Sequence, residues 1–244
     1  MNPQLLLENI RNVLVRLEET IMFGMIERAQ FKQNTIIYDS SSFKAVGEEC
    51  LVDYLLHETE KIHARVRRYK SPDEHPFHDD LPEPILPALN YNENPLHHAD
   101  LNINSEIRKC YEKEIIPLLC KPGDDQQHGS SAVADVSCLQ SLSKRIHYGM
   151  FVAESKYRQS AATYNQLITA QDREAIRENI TNEDVEKQVL ERLHRKASTY
   201  LQELNGYKSD QSVKPESLVK IYRDFVIPMT KQVEVEYLMR RQEK

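Results

Sequence analysis

The sequence contains no tryptophan, only six glycines among 244 residues, and no run of about 18 apolar residues. Because a membrane-spanning helix needs about 20 largely apolar residues, we expect none in this chain. Charged residues make up 29% of the chain, and apolar residues recur over long segments at helical intervals. These features together favour an all-α protein.

An excess of positive charge and a cluster of cysteines are lacking too. The net charge of −6 argues against nucleic-acid binding, which requires a basic face. The N-terminal segment has an acid at Glu8 and no basic residue before its apolar run, unlike a signal or transit peptide. Cys50, Cys110, Cys120 and Cys138 show no CxxC spacing. We therefore expect reduced, mostly buried thiols in a cytoplasmic protein, with neither a zinc site nor disulfides.

The sequence also lacks the motifs of metal and cofactor chemistry. It has no nucleophile elbow, phosphate-binding loop, dinucleotide fingerprint or HExxH pair. His63, His75, His78, His97 and His98 gather around a proline-rich segment, but their spacing matches no zinc pattern, so we expect no metal site there. The remaining option for an enzyme is a site without cofactor that binds a small anion and supplies fixed charge to the transition state.

Helical periodicity extends over most of the chain. The periodic segments cover about 4–30, 47–69, 104–119, 130–157, 163–178, 182–204 and 215 to the end. Between them lie a proline-rich connection (71–100), a loop (121–130) and a second surface loop (206–214). No repeat and no clear linker is present, so we predict a single-domain helical bundle with long helices over 1–244.

Capping and breaking residues refine these helix predictions. Ser130 or Ser131 is suited to cap the helix that follows the loop, and Thr181 or Asn182 to cap a later one. Pro228 lies inside the last helix and should kink it.

The segment CLQSLSKRIHYGMFVAESKY (138–157) carries two cations on one helical face. Arg145 and Lys156 are eleven residues apart. That spacing amounts to three turns plus roughly 20°, with the Cα atoms about 16 Å apart along the axis. The two side chains would therefore bracket a small dianion.

Four helices each carry such a same-face polar pair. The pairs are Arg11 with Glu18, Arg145 with Lys156, Asn182 with Glu186, and Thr230 with Glu234. Each pair also has a simpler explanation. Arg11 and Glu18 could lie on a solvated face, and Arg145 could belong to an exposed basic turn. Asn182 could be an N-cap with Glu186 as a surface charge, and the Thr230 hydroxyl could bond to the carbonyl four residues back. Spacing alone does not define an active site.

The segment 138–157 resembles the central helix of the eukaryotic-type, all-helical (AroQ-class) chorismate mutases. ENIRNVLVRLEETIMFGMIERAQF, RVRRYKSPDEHPF, ENITNEDVEKQVLERL and LVKIYRDFVIPMTKQVEVEYLMRR are similar to the same family in order and spacing. Together these blocks cover most of the chain.

The resemblance implies a role for each residue that matches a family motif. It implies that Arg11 and Arg145 bind the two substrate carboxylates and that Lys156 and Glu234 contact the ether oxygen. It implies that Asn182 and Glu186 contact a carboxylate and the ring hydroxyl. It also implies that Thr230 lines the site and that the Glu18 carboxylate helps to order it. The implied reaction is the Claisen rearrangement of chorismate to prephenate in phenylalanine and tyrosine biosynthesis. It needs no cofactor, metal or covalent intermediate, only a restricted substrate conformer and stabilised charge on the ether oxygen.

The resemblance further implies a homodimer with a tyrosine or tryptophan effector at its interface. The implied effector residues are Arg67, Arg68, Gly129 and Ser130. The chain departs from regulated fungal members at Val133, where they have threonine, and at Gln126 and Gln127, where they have an Asn pair.

Two other functions stay open. One is a non-catalytic helical regulatory or interaction protein of the same fold, which the retained site residues disfavour. The other is a pyruvate lyase acting on isochorismate, which the eukaryotic-type length and interface segments disfavour.

Overall fold

The structure, a computed structural model, describes residues 5–89, 94–97, 100–205 and 213–242. These residues form helices and loops and contain no strand, so the all-α prediction is confirmed. None of the described helices is long and apolar enough to cross a membrane. The helices are α1 (Leu7–Arg28), α2 (Leu51–Arg65), α3 (Asn104–Cys110), α4 (Ile116–Leu119), α5 (His128–His147), α6 (Gly149–Gln159), α7 (Ala161–Thr169), α8 (Arg173–Ile180), α9 (Glu183–Asn205), α10 (Pro215–Ile221) and α11 (Ile227–Met239).

Helix α5 lies at the centre of the bundle, packed against α1, α2, α3 and α11. Its apolar stripe, Leu139, Leu142 and Ile146, is at most 1% exposed. Burying each such side chain stabilises the fold by roughly 1.5–3 kcal/mol. The predicted buried thiols are confirmed as well, since all four cysteines are free and only Cys110 is partly exposed.

Helix α2 is shorter at both ends than the predicted segment 47–69. It begins after Cys50, whose Sγ accepts a hydrogen bond from the backbone of Asp53. It ends before Arg67, which adopts a left-handed backbone conformation (φ 69°) that an α-helix cannot continue through. A short 3₁₀ turn, Arg68–Lys70, then leads into the proline-rich connection.

The predicted cap of α5 is wrong. The helix begins at His128, two residues before Ser130, and Ser131 is buried and accepts a hydrogen bond from the Asn34 side chain at 2.8 Å. Asp125 organises the turn instead, because its carboxylate accepts from the backbone of Gln127 at 3.0 Å and from the Asn34 amide at 2.8 Å. The predicted loop therefore ends earlier than its sequence composition suggests.

A single turn residue, Tyr148, separates α5 from α6 within the segment 138–157. A Cβ atom at the next residue, Gly149, would lie 3.0 Å from the carbonyl oxygen and 3.1 Å from Cγ2 of Thr230. Glycine at this position therefore lets α11 approach α6 more closely than any other residue would. Arg145 and Lys156 consequently lie on two successive helices and not on one.

The break predicted at Pro228 takes the form of a π-turn, Tyr222–Val226, between α10 and α11. An equivalent π-turn, Tyr111–Ile115, joins α3 to α4 just before Pro117. Proline has no amide hydrogen and its ring would clash with the carbonyl four residues back, so the wider turn accommodates it. Both sites share the pattern Tyr-x-x-x-(Ile/Val)-Ile-Pro.

The proline-rich connection contains no helix over its described residues, as predicted. Buried Glu60 and Asn104 hold it in place. Glu60 accepts hydrogen bonds from the backbone of Phe77 and His78, and Asn104 donates to the carbonyl of Pro76 at 2.8 Å. Most of the other predicted loop, residues 206–212 of 206–214, lies outside the described residues, as does His98.

Candidate active site

A cavity of about 280 Å³ opens between α1, α5, α6, α9 and α11. Every residue of the four same-face pairs lines it. These residues are Arg11, Glu18, Arg145, Lys156, Asn182, Glu186, Thr230 and Glu234. The structure thus brings together residues that lie more than 200 positions apart in the sequence.

Arg145 and Thr230 form a fixed pair at the base of the cavity. The Thr230 hydroxyl donates to the carbonyl of Val226 at 2.7 Å, which is the local bond expected from the sequence, and it also accepts from Nη1 of Arg145 at 3.2 Å. Arg145 is only 6% exposed, and its Nε has no hydrogen-bond partner. The guanidinium is therefore held in place with much of its donor capacity unused.

Lys156 and Glu234 face each other across the α6–α11 contact. Lys156 Nζ lies 3.4 Å from Oε2 of Glu234 and also donates to the carbonyl of Ile180. Burial raises the pKa of the Glu234 carboxyl, and the charges of Lys156 and Arg145 offset this only in part. The site thereby favours a protonated Glu234, which can donate a hydrogen bond beside a cation.

Asn182 has two uses at the start of α9. Its Oδ1 accepts from the backbone of Val185 at 3.0 Å, so the predicted N-cap is confirmed. The cap uses only the oxygen, so the Nδ2 amide stays available as a donor at the edge of the cavity, which Asn182 also lines.

Two cavity residues, Arg192 and Lys231, were missed by the sequence analysis. Arg192 forms a bidentate ion pair with Glu18, with Nη2 2.9 Å from Oε1 and Nε 3.0 Å from Oε2. Lys231 Nζ lies 2.7 Å from Oε1 of Glu186. Lys231 is three residues from Glu234, a spacing that could have signalled it, whereas Arg192 is six residues from Glu186 and shares no face with it.

Five cations and three carboxylates line the cavity. Each carboxylate faces a cation: Glu18 faces Arg192, Glu186 faces Lys231 and Glu234 faces Lys156. Over the described part of the chain, Arg11 and Arg145 have no carboxylate partner. The cavity is therefore built to receive a ligand with two negative groups.

The four residues implied for effector binding fall at two separate places. Arg68 contacts Glu74, His63 and Gln140, while Arg67 donates to the carbonyl of Pro87. Gly129 and Ser130 are exposed in the first turn of α5.

Gln140 is ten residues from Ser130 along α5, so about 15 Å of helix separates the Arg68 contact from the exposed first turn. Within one chain the two pairs do not meet.

Comparison with known proteins gives one consistent result. Residues 128–235 match the family Chorismate mutase type II. The chain is 47% identical to a chorismate mutase of Schizosaccharomyces pombe over 99% of this chain and 98% of the relative.

Two solved structures have the same fold. AtCM1 with tyrosine bound in its allosteric site superposes with a TM-score of 0.90 at 46% identity, covering 99% of this chain and 98% of that one. Aro7p chorismate mutase from Candida albicans in complex with L-Trp gives 0.89 at 41% identity, covering 98% and 92%.

Proposed function

Because the chain belongs to the chorismate mutase type II family, we propose that its cavity converts chorismate to prephenate by an intramolecular rearrangement. The observation that carries this proposal is the pair of arginines without carboxylate partners, Arg11 and Arg145. Chorismate carries two carboxylates, and two guanidinium groups would hold both of them. No cofactor is required for this chemistry.

The first catalytic task is to restrict the substrate. Arg11 extends from α1 and Arg145 from α5, so carboxylates bound to both would hold the enolpyruvyl side chain over the ring in a chair-like conformer. The hydrogen bond from Arg145 to Thr230 holds the guanidinium in position. The Asn182 amide and the Glu186 carboxylate would bind polar groups on the ring side of the substrate. Restriction removes the conformers that cannot react.

The second task is to stabilise the ether oxygen as its bond to the ring opens. Lys156 supplies a positive charge, and protonated Glu234 supplies a hydrogen bond from the opposite helix. A rate enhancement near the low end for enzymes, about 10⁶-fold, needs about 8 kcal/mol of transition-state stabilisation. Two or three charged contacts together with conformational restriction are sufficient for that.

Product identification tests the proposal directly. We expect the purified protein to convert chorismate to prephenate, and to leave isochorismate unchanged. Pyruvate and salicylate formed from isochorismate would instead identify a lyase. No product from either substrate would identify a non-catalytic helical protein of this fold.

We also propose a homodimer. Ile62 on α2 and Val66, just after its end, are 64% and 50% exposed, and Val133 on α5 is 57% exposed. Since α2 and α5 pack against each other, we infer that a second copy covers these exposed apolar side chains. Analytical ultracentrifugation would check the expected dimer.

Dimerisation also offers a way to complete the effector site, for which we propose tyrosine or tryptophan as ligand. Arg67 and Arg68 of one subunit would meet Gly129 and Ser130 of the other, because the two pairs are far apart within one chain. The exposed first turn of α5 suits the carboxylate of an amino acid. The relatives bound to tyrosine and to L-Trp support this assignment.

A chain of ion pairs could carry the effector signal to the active site. Arg68 Nε contacts Glu74 at 3.0 Å, and Lys144 Nζ contacts the same carboxylate at 2.6 Å. Lys144 is the neighbour of Arg145 in α5. We expect tyrosine and tryptophan to change the rate in opposite directions, and Arg68→Ala to abolish both responses. Unchanged rates with either amino acid would exclude regulation through this site.

The cytoplasmic location expected from the free thiols remains a prediction, and cell fractionation would test it.

A further inference from the structure

Metal-binding side chains gather away from the active-site cavity, where α2 meets the loop at 77–80. Glu49, His57 and His78 each offer one ligand atom here, and these three atoms lie within 4.8 Å of one another. Glu49 precedes α2, His57 lies within it, and His78 comes from the proline-rich connection. His57 and His78 are 21 residues apart and belong to different elements, so no spacing motif in the sequence marks this group.

His78 is oriented by a fully buried carboxylate. Its Nδ1 lies 2.7 Å from Oε2 of Glu60. The Glu60 carboxylate also accepts hydrogen bonds from two backbone amides, that of Phe77 at 2.7 Å and that of His78 at 3.1 Å. No other charged side chain in the described ranges lies at such a distance from Glu60, so we assign the ring proton to Nδ1 of His78. Nε2 then presents its lone pair. Metal-bound histidines are held by a carboxylate in this way.

His57 lies beside two carboxylates but lacks an orienting hydrogen bond at Nε2. Its Nε2 lies 3.0 Å from Oδ1 of Asp80, at an angle that does not make a hydrogen bond, and its Nδ1 lies 3.3 Å from Oε1 of Glu49. Two ligands bound to Zn²⁺ at 2.0–2.1 Å in a tetrahedral site are about 3.3 Å apart. The His57–Glu49 contact is a hydrogen bond whose length matches that spacing, so an ion could take the place of the proton between them.

We propose that Glu49, His57 and His78 bind a divalent transition-metal ion such as Zn²⁺, with Glu60 orienting the His78 imidazole. Two imidazoles favour zinc, cobalt or nickel over magnesium or calcium. The surrounding carboxylates, Glu49, Glu60 and Asp80, supply the negative charge that a dication needs. The site lies outside the active-site cavity and does not depend on the proposed reaction.

Binding would change the relation between the two rings. The imidazoles of His57 and His78 are stacked, with centroids 4.2 Å apart and planes at 12°. The lone pair of an imidazole lies in its ring plane, so at least one ring must turn out of this parallel arrangement before both can share one ion. The ion would then tie the loop at 77–80 to α2, close to the segment that contains Arg67 and Arg68.

Titration of the tag-free, full-length protein with Zn²⁺, followed by calorimetry, tests the site. We expect one ion per chain with micromolar or tighter affinity, and titration with Co²⁺ should give the visible absorption bands of a four-coordinate ion. His57→Gln and His78→Gln should each lose this binding, while Glu60→Gln should weaken it about 10- to 100-fold, since the ring would lose its orienting partner. Circular dichroism would establish that each variant is folded.

Two matched controls separate this site from adventitious binding. His194→Gln removes a half-exposed histidine that is paired with a glutamate elsewhere on the chain, and it should bind as the parent does. Cys50→Ser removes the thiol at the start of α2, while the serine hydroxyl can still act as the N-cap. This variant should also retain Zn²⁺ binding. Loss of binding in either control would overturn the assignment, as would unchanged binding in the His57 and His78 variants or no binding at millimolar Zn²⁺.

Discussion

Arg28 and Arg145 are two arginines buried in the same helical core, and their guanidinium groups are satisfied to very different degrees. Arg28, on α1, donates to Asp135 at 2.6 Å and to the carbonyls of Lys32 and Gln33 at 2.9 and 3.0 Å. Arg145 makes one bond to the Thr230 hydroxyl, and its Nε has no hydrogen-bond partner.

The side chains that accept hydrogen bonds from the two arginines also differ in how many further bonds they make. Asp135 also receives the hydroxyls of Tyr38 and Tyr111, both at 2.7 Å, so both of its oxygens are hydrogen-bonded. Burial alone would lower the pKa of Arg28, but the facing Asp135 carboxylate raises it above its ordinary value.

Tyr222 illustrates the opposite situation near Arg145: it is fully buried and its hydroxyl has no hydrogen-bond partner.

The contrast separates a structural use of buried charge from a binding use. A charge that is fully paired inside the protein fixes the fold and has no capacity left for a ligand. A buried arginine with unused donors costs stability, and the cost is offset only when a ligand supplies the missing acceptors. Incomplete hydrogen bonding at Arg145 is thus better evidence for a substrate site than the presence of charge itself.

The largest expected effect is that of Arg145→Ala on activity. Removing one carboxylate clamp and the positive field at the cavity base should lower kcat/KM by at least about 10³-fold. Stability should fall little or rise, because an unsatisfied buried charge is removed. Chorismate consumption and thermal unfolding measure the two effects.

Arg223→Ala is the matched control, because Arg223 is 59% exposed and, among the residues that the structure describes, pairs only with the adjacent Asp224. It should leave both quantities unchanged. A stable Arg145→Ala variant with near-normal activity would contradict the clamp role.

Asp135→Asn should have the reverse pattern. It leaves the Arg28 charge buried without its partner, and breaking a buried pair in this way costs about 3–5 kcal/mol. Urea unfolding should measure that loss, while kcat/KM per folded molecule stays within about twofold of the parent because Asp135 does not line the cavity. A large loss of activity in the folded variant would mean that the two charge clusters are coupled.

Part of this comparison could be predicted from sequence. Helical spacing selected eight residues that line one cavity, because residues four, seven or eleven positions apart share a face of a helix. Spacing could not tell which of these charges would be paired. The partners of Glu18 and Glu186 are Arg192 and Lys231, on other helices, and only the packing of those helices brings them together.

Local signals also failed where tertiary contacts override them. Ser131 has the sequence position of an N-cap, but a buried hydrogen bond to Asn34 uses its hydroxyl, and Asp125 organises the turn. The interruption at Tyr148 was not predicted either, because Gly149 is a single residue in a strongly periodic segment. The glycine itself is explained by the close approach of α11, which the sequence of α6 does not contain.

Gly149→Ala tests whether that close approach is required for catalysis. The added Cβ would lie 3.0 Å from the backbone oxygen of Thr230, so α11 must move and carry Thr230 and Glu234 with it. We expect kcat/KM to fall about 10- to 100-fold, as small misplacements of reacting groups do.

Gly24→Ala is the matched control, since its added Cβ would meet only the Sγ atom of Cys138, at 3.3 Å. Steady-state kinetics of the two variants should differ even if both lose some stability. Equal kinetics would indicate that the α6–α11 spacing is a matter of packing alone.

Glu234→Gln should have the smallest effect at low pH and the clearest signature in the pH profile. Burial raises the pKa of Glu234, so the protonated donor is lost as pH rises through that value. Parent kcat/KM should therefore decline with increasing pH, while the variant profile stays flat over the same range because an amide donates at any pH. Rates measured across the pH range with chorismate would check this.

Unfolding of the same variant provides an independent readout. A carboxyl whose pKa is higher in the folded state than in the unfolded one binds its proton more tightly when folded. It therefore favours folding at low pH, and this contribution is lost as pH rises through the folded pKa. The parent should lose stability with increasing pH relative to Glu234→Gln. If the two proteins had parallel pH profiles in both rate and stability, Glu234 would be ionised throughout, and Lys156 alone would have to stabilise the ether oxygen.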